Sequence, residues 1–195
     1  MDFDFSKSGH SLCIVDTGGN HSDLTDDYAA VRGEMESVAK ALGKDVLREI
    51  SFADFKQAVP SLLGRVSDRA LLRAFHFYRE NIRVEKAVSA LESSNFDEFK
   101  KIINESGRSS YMYNQNVFTP KDPAEQKISL ALCISEEVLG VNGAYRVHGG
   151  GFAGTIQAFV PNELLQEYKT AMEDVFGKGS CHVLIIRPVG GTRVL

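Results

Sequence analysis

Four glycines lie between two apolar, strand-like runs in the stretch Arg146-Val147-His148-Gly149-Gly150-Gly151-Phe152-Ala153-Gly154-Thr155. The runs 144–147 and 155–160 predict two strands joined as a hairpin. Glycine tolerates positive φ angles and allows another group to approach the main chain closely, so the N–H groups of such a loop can converge on an anion. The stretch therefore predicts a hairpin. From this pattern alone a simple structural turn is preferred, and contact of the loop with phosphate is the alternative.

The segments next to the hairpin predict the architecture of the C-terminal part. Apolar residues recur with helical spacing over 124–139 and again from Asn162, a helix-capping residue, to Gly177. The run 181–187 is rich in β-branched residues and predicts a further strand. Strands joined partly by a hairpin and partly by helices indicate an α+β fold. We expect an antiparallel sheet of the ferredoxin-like, split βαβ type, with helices packed on one face.

The N-terminal part begins with a strand and a helix. Residues 11–15 are apolar and predict a buried strand that ends in a glycine-containing loop. A helix is then expected from an N-cap at Thr25 to a glycine stop at Gly43, because apolar residues recur between them at three- and four-residue intervals.

The middle of the chain is predicted to be mainly helical. Apolar spacing indicates a long helix over 68–93 and a second helix from Phe96. Short helical pieces are expected over 47–63, interrupted at Pro60, which lacks the N–H group that a helix interior needs. The polar, tyrosine-containing stretch 106–123 predicts a long loop.

Length and composition restrict the class of protein. At 195 residues the chain can bury a substantial core. We expect a single domain over 1–195, with a strand-loop-helix lead-in over 1–66 and the remaining helices, the glycine-loop hairpin and the last strand over 67–195. The net charge of -4 and the lack of a block of consecutive basic residues argue against nucleic-acid binding. No apolar run reaches the roughly 20 residues of a membrane span, so a cytoplasmic protein is expected.

The sequence does not indicate a disulfide or a metal site. Cys13, Cys133 and Cys181 are widely separated and each lies in an apolar run, which predicts reduced, buried thiols. The 5 histidines show no paired ligand spacing on a helix.

Two segments resemble the galactokinases, which belong to the GHMP group of small-molecule kinases together with homoserine, mevalonate and phosphomevalonate kinases. Ile14-Val15-Asp16-Thr17-Gly18-Gly19-Asn20-His21-Ser22-Asp23-Leu24-Thr25-Asp26-Asp27-Tyr28-Ala29-Ala30-Val31-Arg32 is similar to the segment that opens the C-terminal half of galactokinases. The loop 149–154 is similar to the third motif of the whole group. A helical run containing Arg69-Ala70 and Glu80-Asn81-Ile82-Arg83 lies between them, in the order that galactokinases show.

The resemblance implies the C-terminal half of a kinase and not a complete one. Galactokinases carry a sugar-recognition motif containing Gly-Glu-His and a Gly-Leu-Ser-Ser-Ser phosphate loop, and neither is present in this sequence. The family's catalytic aspartate and transition-state arginine lie in that same half. We therefore expect the chain to work beside a separate N-terminal kinase domain, which would bind most of the ATP and Mg²⁺, and to be inactive alone.

The resemblance also implies roles for six residues. Tyr28 matches the tyrosine that reaches the sugar through its hydroxyl, and the resemblance favours that role, although its helical spacing alone favours a core residue. The phosphate-facing loop is expected to comprise Gly149, Gly150, Gly151, Phe152 and Gly154. Ala153 departs from the glycine most common at its position, and His148 stands in place of a small hydroxyl residue, so that a ligand contact and a hairpin cap both remain open for it. No catalytic residue and no metal ligand are assigned to this chain.

The other charged residues of the matching segments are interpreted as structural. Arg32 and Arg83 lie beside acidic residues on predicted helices and are expected to be solvated or ion-paired. Glu34 and Glu36 are interpreted as parts of exposed helix faces. His21 is expected to bind the local backbone.

Two other functions remain open. The chain can be a non-catalytic sugar-sensing or partner-binding module derived from a galactokinase, or part of another kinase of the same group. The galactokinase is preferred because residues 20–32 resemble that family specifically. A half on its own would expose apolar surface where its partner packs, which predicts self-association.

Overall fold

A computed structural model describes residues 3–19 and 24–186 of the chain, which contain four strands and six α-helices. The strands are β1 (His10–Asp16), β2 (Ala144–Val147), β3 (Thr155–Pro161) and β4 (Cys181–Leu184). The helices are α1 (Thr25–Ala41), α2 (Phe52–Leu62), α3 (Asp68–Glu92), α4 (Phe96–Ser109), α5 (Lys127–Leu139) and α6 (Leu165–Phe176). His21 and the end of the predicted last strand at Arg187 lie outside the described residues.

Within these ranges the strands form an antiparallel sheet in the spatial order β2-β3-β1-β4. This order is that of the ferredoxin-like, split βαβ arrangement. Helices α1 to α5 are inserted between β1 and β2, while α6 joins β3 to β4. The predicted α+β class and the glycine-loop hairpin of β2 and β3 are confirmed.

The two faces of the sheet pack against different helices. Side chains alternate along a strand, so Cys13, Ile156 and Ala158 share one face, where they pack with residues of α5 and α6. Phe159 points to the opposite face and meets Phe99 of α4 at a ring-centroid distance of 5.2 Å. The predicted helical layer is thus formed by α5 and α6, and α4 with the end of α3 partly covers the other face.

A second apolar core lies among the inserted helices α1, α2 and α3. It includes Val38, Phe55 and Tyr78, which are buried and come from three different helices. The Tyr78 hydroxyl donates to the carbonyl oxygens of Leu47 and Ile50, at 2.9 and 3.0 Å, so its polar end is also satisfied. This core holds α1 in place, and α1 carries one of the candidate site residues.

The long helix and the break after it are confirmed. Ser67 caps α3 by accepting a hydrogen bond from the N–H of Ala70 at 3.1 Å. Asn95 caps α4 in the same way, with the N–H of Glu98 as donor at 3.1 Å. Ser67 thus marks the start of the long helix, and Asn95 marks the restart of the helical chain after the break.

The predicted loop over 106–123 is wrong in its first half. Helix α4 extends to Ser109 and continues into a π-helical turn, Ser110–Asn114. Serine-rich composition is typical of loops, but here Ser106 is buried and donates its hydroxyl to Glu80 of α3. Polar side chains therefore form the inner face of this segment, which composition does not distinguish from a solvent-exposed loop.

Three local predictions are also wrong. Pro60 lies inside α2; because it is exposed and close to the helix end, its missing N–H removes only one of the final hydrogen bonds. Asn162 does not cap α6, since a one-turn helix intervenes and its side chain accepts from the Ser11 hydroxyl at 2.9 Å. Thr25 is the first residue of α1 and not its N-cap.

The cysteines differ in exposure. Cys13 and Cys181 are buried, as predicted, but Cys133 is exposed, because α5 turns only one of its faces towards the sheet. None of the helices in the described part of the chain combines the length and apolar character that a membrane span requires.

Candidate functional site

Two segments that are 137 residues apart in the chain meet at one end of the sheet. Just after β1, Thr17 donates its N–H and its hydroxyl to the carbonyl oxygen of Gly154, at 2.8 and 2.7 Å. Gly19 follows so closely that a Cβ at this position would lie 2.9 Å from the Cβ of Ala153. The end of β1 and the loop between β2 and β3, called here the glycine loop (residues 148–154), therefore form one continuous surface.

Tyr28, in the first turn of α1, lies against the glycine loop. Its hydroxyl donates to the carbonyl oxygen of Gly151 at 2.9 Å, and its ring meets Phe152 edge to face at 5.3 Å. A Cβ on Gly150 would lie 2.7 Å from Cε1 of the ring. Burial, with a smaller contribution from the Asp27 charge, raises the pKa of the Tyr28 phenol. The hydroxyl therefore stays protonated and able to donate.

The glycine loop has a conformation that favours glycine. Gly149, Gly151 and Gly154 have φ angles of 64°, 81° and 121°. Gly149 and Gly150 are exposed, whereas Gly151, Phe152 and Gly154 are buried. Among the described residues, no acceptor binds the N–H groups of Gly149, Gly150 and Gly151. The loop thus presents the adjacent main-chain N–H groups of Gly149 and Gly150 at its exposed end.

Asn116 is a second residue that holds the glycine loop. Its side-chain Nδ2 donates to the carbonyl oxygen of Gly150 at 3.1 Å, and its own carbonyl oxygen accepts from the N–H of Phe152 at 2.6 Å. A Cβ on Gly151 would lie 1.9 Å from that same carbonyl oxygen. Sequence reasoning missed Asn116, since an asparagine in a polar stretch gives no signal of such a contact.

An open cleft of about 390 Å³ lies beside the glycine loop. Phe152 and Ala153 form part of its wall, together with Thr17, and Lys121 and Lys127 also line it. Cleft and loop are therefore neighbours, and the loop is not enclosed in the core. In the described ranges, no group of three or more His, Cys, Asp or Glu side chains is arranged to hold a metal ion.

The other charged residues singled out in the sequence lie away from the cleft. Arg32 and Arg83 are ion-paired, as predicted, with Glu36 at 2.7 Å and Glu80 at 2.6 Å. His148 places Nδ1 2.9 Å from the amide oxygen of Gln157, so it binds the hairpin itself. Neither arginine nor His148 lines the cleft.

Sequence comparison identifies galactokinases as relatives. No family model matches the chain. The galactokinase of Mannheimia succiniciproducens is 29% identical over 168 residues, which cover 86% of this chain and 42% of the relative. That of Streptomyces coelicolor is 30% identical over 196 residues, which cover 99% of this chain and 48% of the relative. The chain thus spans about half the length of the curated relatives it matches, and the predicted resemblance to galactokinases is confirmed.

Solved structures share the fold. The galactokinase of Lactococcus lactis in complex with galactose matches with a TM-score of 0.72 at 21% identity, over 91% of this chain and 45% of the other. The mevalonate kinase of L. major in complex with R-mevalonate matches with a TM-score of 0.52 at 14% identity, over 89% and 41%. The α+β fold that the sequence pattern predicts is therefore shared with both of these structures.

Proposed function

We propose that this chain is the C-terminal half of a galactokinase and forms one wall of its active-site cleft. The complete enzyme would transfer the γ-phosphate of ATP to the C1 hydroxyl of galactose. One observation carries the proposal: the two galactokinase-like segments are in contact. Thr17 binds Gly154, and the Tyr28 hydroxyl binds Gly151 of the glycine loop. The relatives are named galactokinases, which favours the enzyme over a non-catalytic sugar-sensing module.

The glycine loop is proposed to face the phosphates. Phosphoryl transfer is catalysed mainly by positioning the reactants and by neutralising charge that spreads over the transferred group. Main-chain N–H groups that need no rearrangement are suited to that task, and the exposed end of the loop supplies them. The residues assigned to this role are Gly149, Gly150, Gly151, Phe152 and Gly154.

Tyr28 is proposed to contact the sugar. Its O–H group donates to the carbonyl oxygen of Gly151, and the residue matches the tyrosine that reaches the sugar in galactokinases. A phenolic oxygen accepts hydrogen bonds as well as donating one, so the chemistry of this side chain suits a sugar hydroxyl. This arrangement would couple the position of the sugar to that of the loop.

Mg²⁺ is proposed to arrive with ATP, because this ion is usually held by substrate phosphates together with one or two carboxylates. Among the described residues, no group of three or more His, Cys, Asp or Glu side chains is arranged to hold a metal ion. We place the protein ligands of Mg²⁺, and most ATP contacts, in a separate N-terminal kinase domain, and assign no step through the ion here. The cytoplasmic location stays a prediction.

Enzyme assays on the complete protein that contains this chain test the proposal. We expect phosphorylation of galactose with release of ADP, and a loss of about a hundredfold in kcat/KM in Gly151→Ala, because a Cβ there collides with Asn116 and displaces the loop. Gly64→Ala is the matched control: Gly64 also has a positive φ, of 75°, but nothing lies within 4 Å of the added Cβ. This variant should keep its activity.

The 195-residue chain alone should show no turnover. Turnover by this chain that a single substitution within it destroys would contradict the assignment as a half enzyme. A complete protein that binds galactose without phosphorylating it would instead support the sugar-sensing module.

A further inference from the structure

A buried arginine connects the helix of Tyr28 with the segment of Asn116. Arg73, on α3, has only 1% of its surface exposed. Its Nε donates to the carbonyl oxygen of Asn114 at 2.9 Å, and its Nη1 donates to Oε2 of Glu34 on α1 at 2.9 Å. Arg73 thus binds α1 and the end of the π-helical turn at the same time.

Glu34 is not part of an exposed helix face, contrary to the interpretation of the sequence. Its side chain is 19% exposed, because α3 packs along this part of α1. Besides Arg73 it binds Arg69, one turn earlier on α3, with Nη2 2.6 Å from Oε1. The carboxylate is therefore shared by two guanidinium groups, which fix its orientation.

The two partners of Arg73, Glu34 and Asn114, are each close in the chain to a residue that contacts the glycine loop. Glu34 lies on the helix whose first turn carries Tyr28. Asn114 lies two residues before Asn116, and between them Gln115 reverses the chain in the left-handed region, at φ 53° and ψ 50°. A shift of Glu34 relative to Asn114 would therefore change the distance between Tyr28 and Asn116.

Tyr28 and Asn116 together bind three consecutive residues of the loop. Asn116 binds the carbonyl oxygen of Gly150 and the N–H of Phe152, and Tyr28 binds the carbonyl oxygen of Gly151 between them. The loop is thus clamped by two residues on separate elements. Its conformation depends on how far apart those elements lie.

Stability alone does not explain an arginine at this position. Burial lowers the pKa of Arg73, although the charge of Glu34 opposes this effect. Apolar residues of similar volume would join α1 and α3 without that desolvation cost. A planar guanidinium, however, directs hydrogen bonds to two acceptors at fixed angles, which apolar packing does not do.

We infer that Arg73 is a positioning residue, which together with Glu34 sets the spacing of Tyr28 and Asn116 and so holds the glycine loop in the conformation that presents its N–H groups. What the loop binds rests on the proposed function. How the loop is held rests on the contacts alone.

Isotope labelling restricted to glycine provides the test in the 195-residue chain, which has 17 glycines. In Arg73→Met and in Glu34→Gln we expect the amide signals of Gly149, Gly150, Gly151 and Gly154 to shift, because the loop conformation changes when its clamp moves. The control, Arg83→Met, removes another largely buried ion pair of the same helix, with Glu80. It should leave these signals at their wild-type positions.

Loop signals that stay unchanged in Glu34→Gln, or that move equally in Arg83→Met, would overturn the inference. Glu34→Gln keeps the size of the side chain and so tests the charge even where Arg73→Met does not fold. In the complete protein, kcat for galactose should fall by about tenfold in Glu34→Gln and remain near the wild-type value in Arg83→Met. If the complete protein is not a galactokinase, the proposed function fails, but the amide signals still decide the role of Arg73.

Discussion

The apolar core of α1 to α3 and the contacts around the glycine loop are held together by different forces. Phe55 and its neighbours form many weak contacts that have no preferred direction. The glycine loop is held instead by a few directional hydrogen bonds from Tyr28 and Asn116. We therefore expect the first region to determine the stability of the chain and the second to determine the geometry of the site.

Removal of a core aromatic side chain should have the largest effect on stability. Phe55 is 0% exposed and lies 4.9 Å from the ring of Phe75 and 5.2 Å from that of Tyr78. Phe55→Ala should lower the free energy of unfolding by about 3–5 kcal/mol, because it removes apolar contacts and leaves a cavity. Urea denaturation measures the loss.

The same variant tests whether the two regions are independent. The exposed Val84 of α3 offers a control, since Val84→Ala should change the free energy of unfolding by less than about 0.5 kcal/mol. Folded Phe55→Ala should keep the wild-type amide signals of residues 149–154. A shift of those signals would show that the core also sets the geometry of the loop.

A second prediction uses pH, to which the apolar core is insensitive. His76, on α3, is buried and contacts the Ser109 hydroxyl at 2.9 Å, with Glu80, Arg83 and Arg146 nearby. Burial lowers its pKa to about 4. The unfolded chain therefore takes up a proton on this histidine near pH 6.5, whereas the folded chain does so only near pH 4. The contribution of His76 to the free energy of unfolding is fully present above about pH 6.5, and about 3 kcal/mol of it is lost as the pH drops towards 4.

The contribution of His76 is the difference between the wild type and His76→Gln. Urea denaturation between pH 7 and pH 5 should show a steeper loss of stability in the wild type, before most carboxylates titrate. His182, exposed on β4, is the control, since His182→Gln should retain the wild-type slope. Equal slopes in all three proteins would show that His76 does not titrate as its burial implies.

The contrast between the regions also explains what the sequence could predict. Apolar residues repeat with the period of the element they belong to, and so α3, the hairpin of β2 and β3 and the α+β class follow from the pattern. Polar residues show no such periodicity. A serine such as Ser106 looks the same in the sequence whether it binds water in a loop or Glu80 in the interior. The same holds for Glu34, which is paired with Arg73 and does not lie on an exposed helix face.

The site was predicted only where a resemblance supplied it. Tyr28 and the glycine loop match galactokinase segments, and the structure brings them into contact. Asn116 lies in no segment that the resemblance marked, and Arg73 lies in the matching helical run but was assigned no role. Their contacts join residues about 30 to 40 positions apart. Such contacts depend on how α1, α3 and the hairpin pack, which local sequence patterns do not contain.

Two helix glycines that look alike in the sequence give a third prediction. A Cβ on Gly107 of α4 would lie 2.9 Å from the carbonyl oxygen of Tyr145 and 3.0 Å from the Cβ of Arg146, since α4 approaches β2 closely. Gly107→Ala should therefore lower the free energy of unfolding by about 1–3 kcal/mol. Thermal or urea denaturation measures the change.

Gly33 of α1 is the matched control and should respond with the opposite sign. Nothing lies within 4 Å of a Cβ added there, so Gly33→Ala should raise the free energy of unfolding by about 0.5–1 kcal/mol through the better helix propensity of alanine. If Gly107→Ala were as stable as Gly33→Ala, the close approach of α4 to β2 would not be a constraint.

The smallest effect on stability is expected for Tyr28→Phe, although it acts directly on the site. The variant keeps the ring contact with Phe152 and removes the hydrogen bond to Gly151, which should cost about 1 kcal/mol. The control is Tyr111→Phe, which removes an exposed hydroxyl that contacts Ser129 at 3.2 Å.

The amide signals of the glycine loop should move in Tyr28→Phe and not in Tyr111→Phe. In the complete protein, loss of a sugar contact that is equally strong in the ground and transition states would raise KM for galactose with little change in kcat. Loss of loop geometry alone would lower kcat instead. The ratio of the two changes therefore separates the two tasks proposed for one hydroxyl, and an unchanged KM would leave Tyr28 as a residue that serves only the loop.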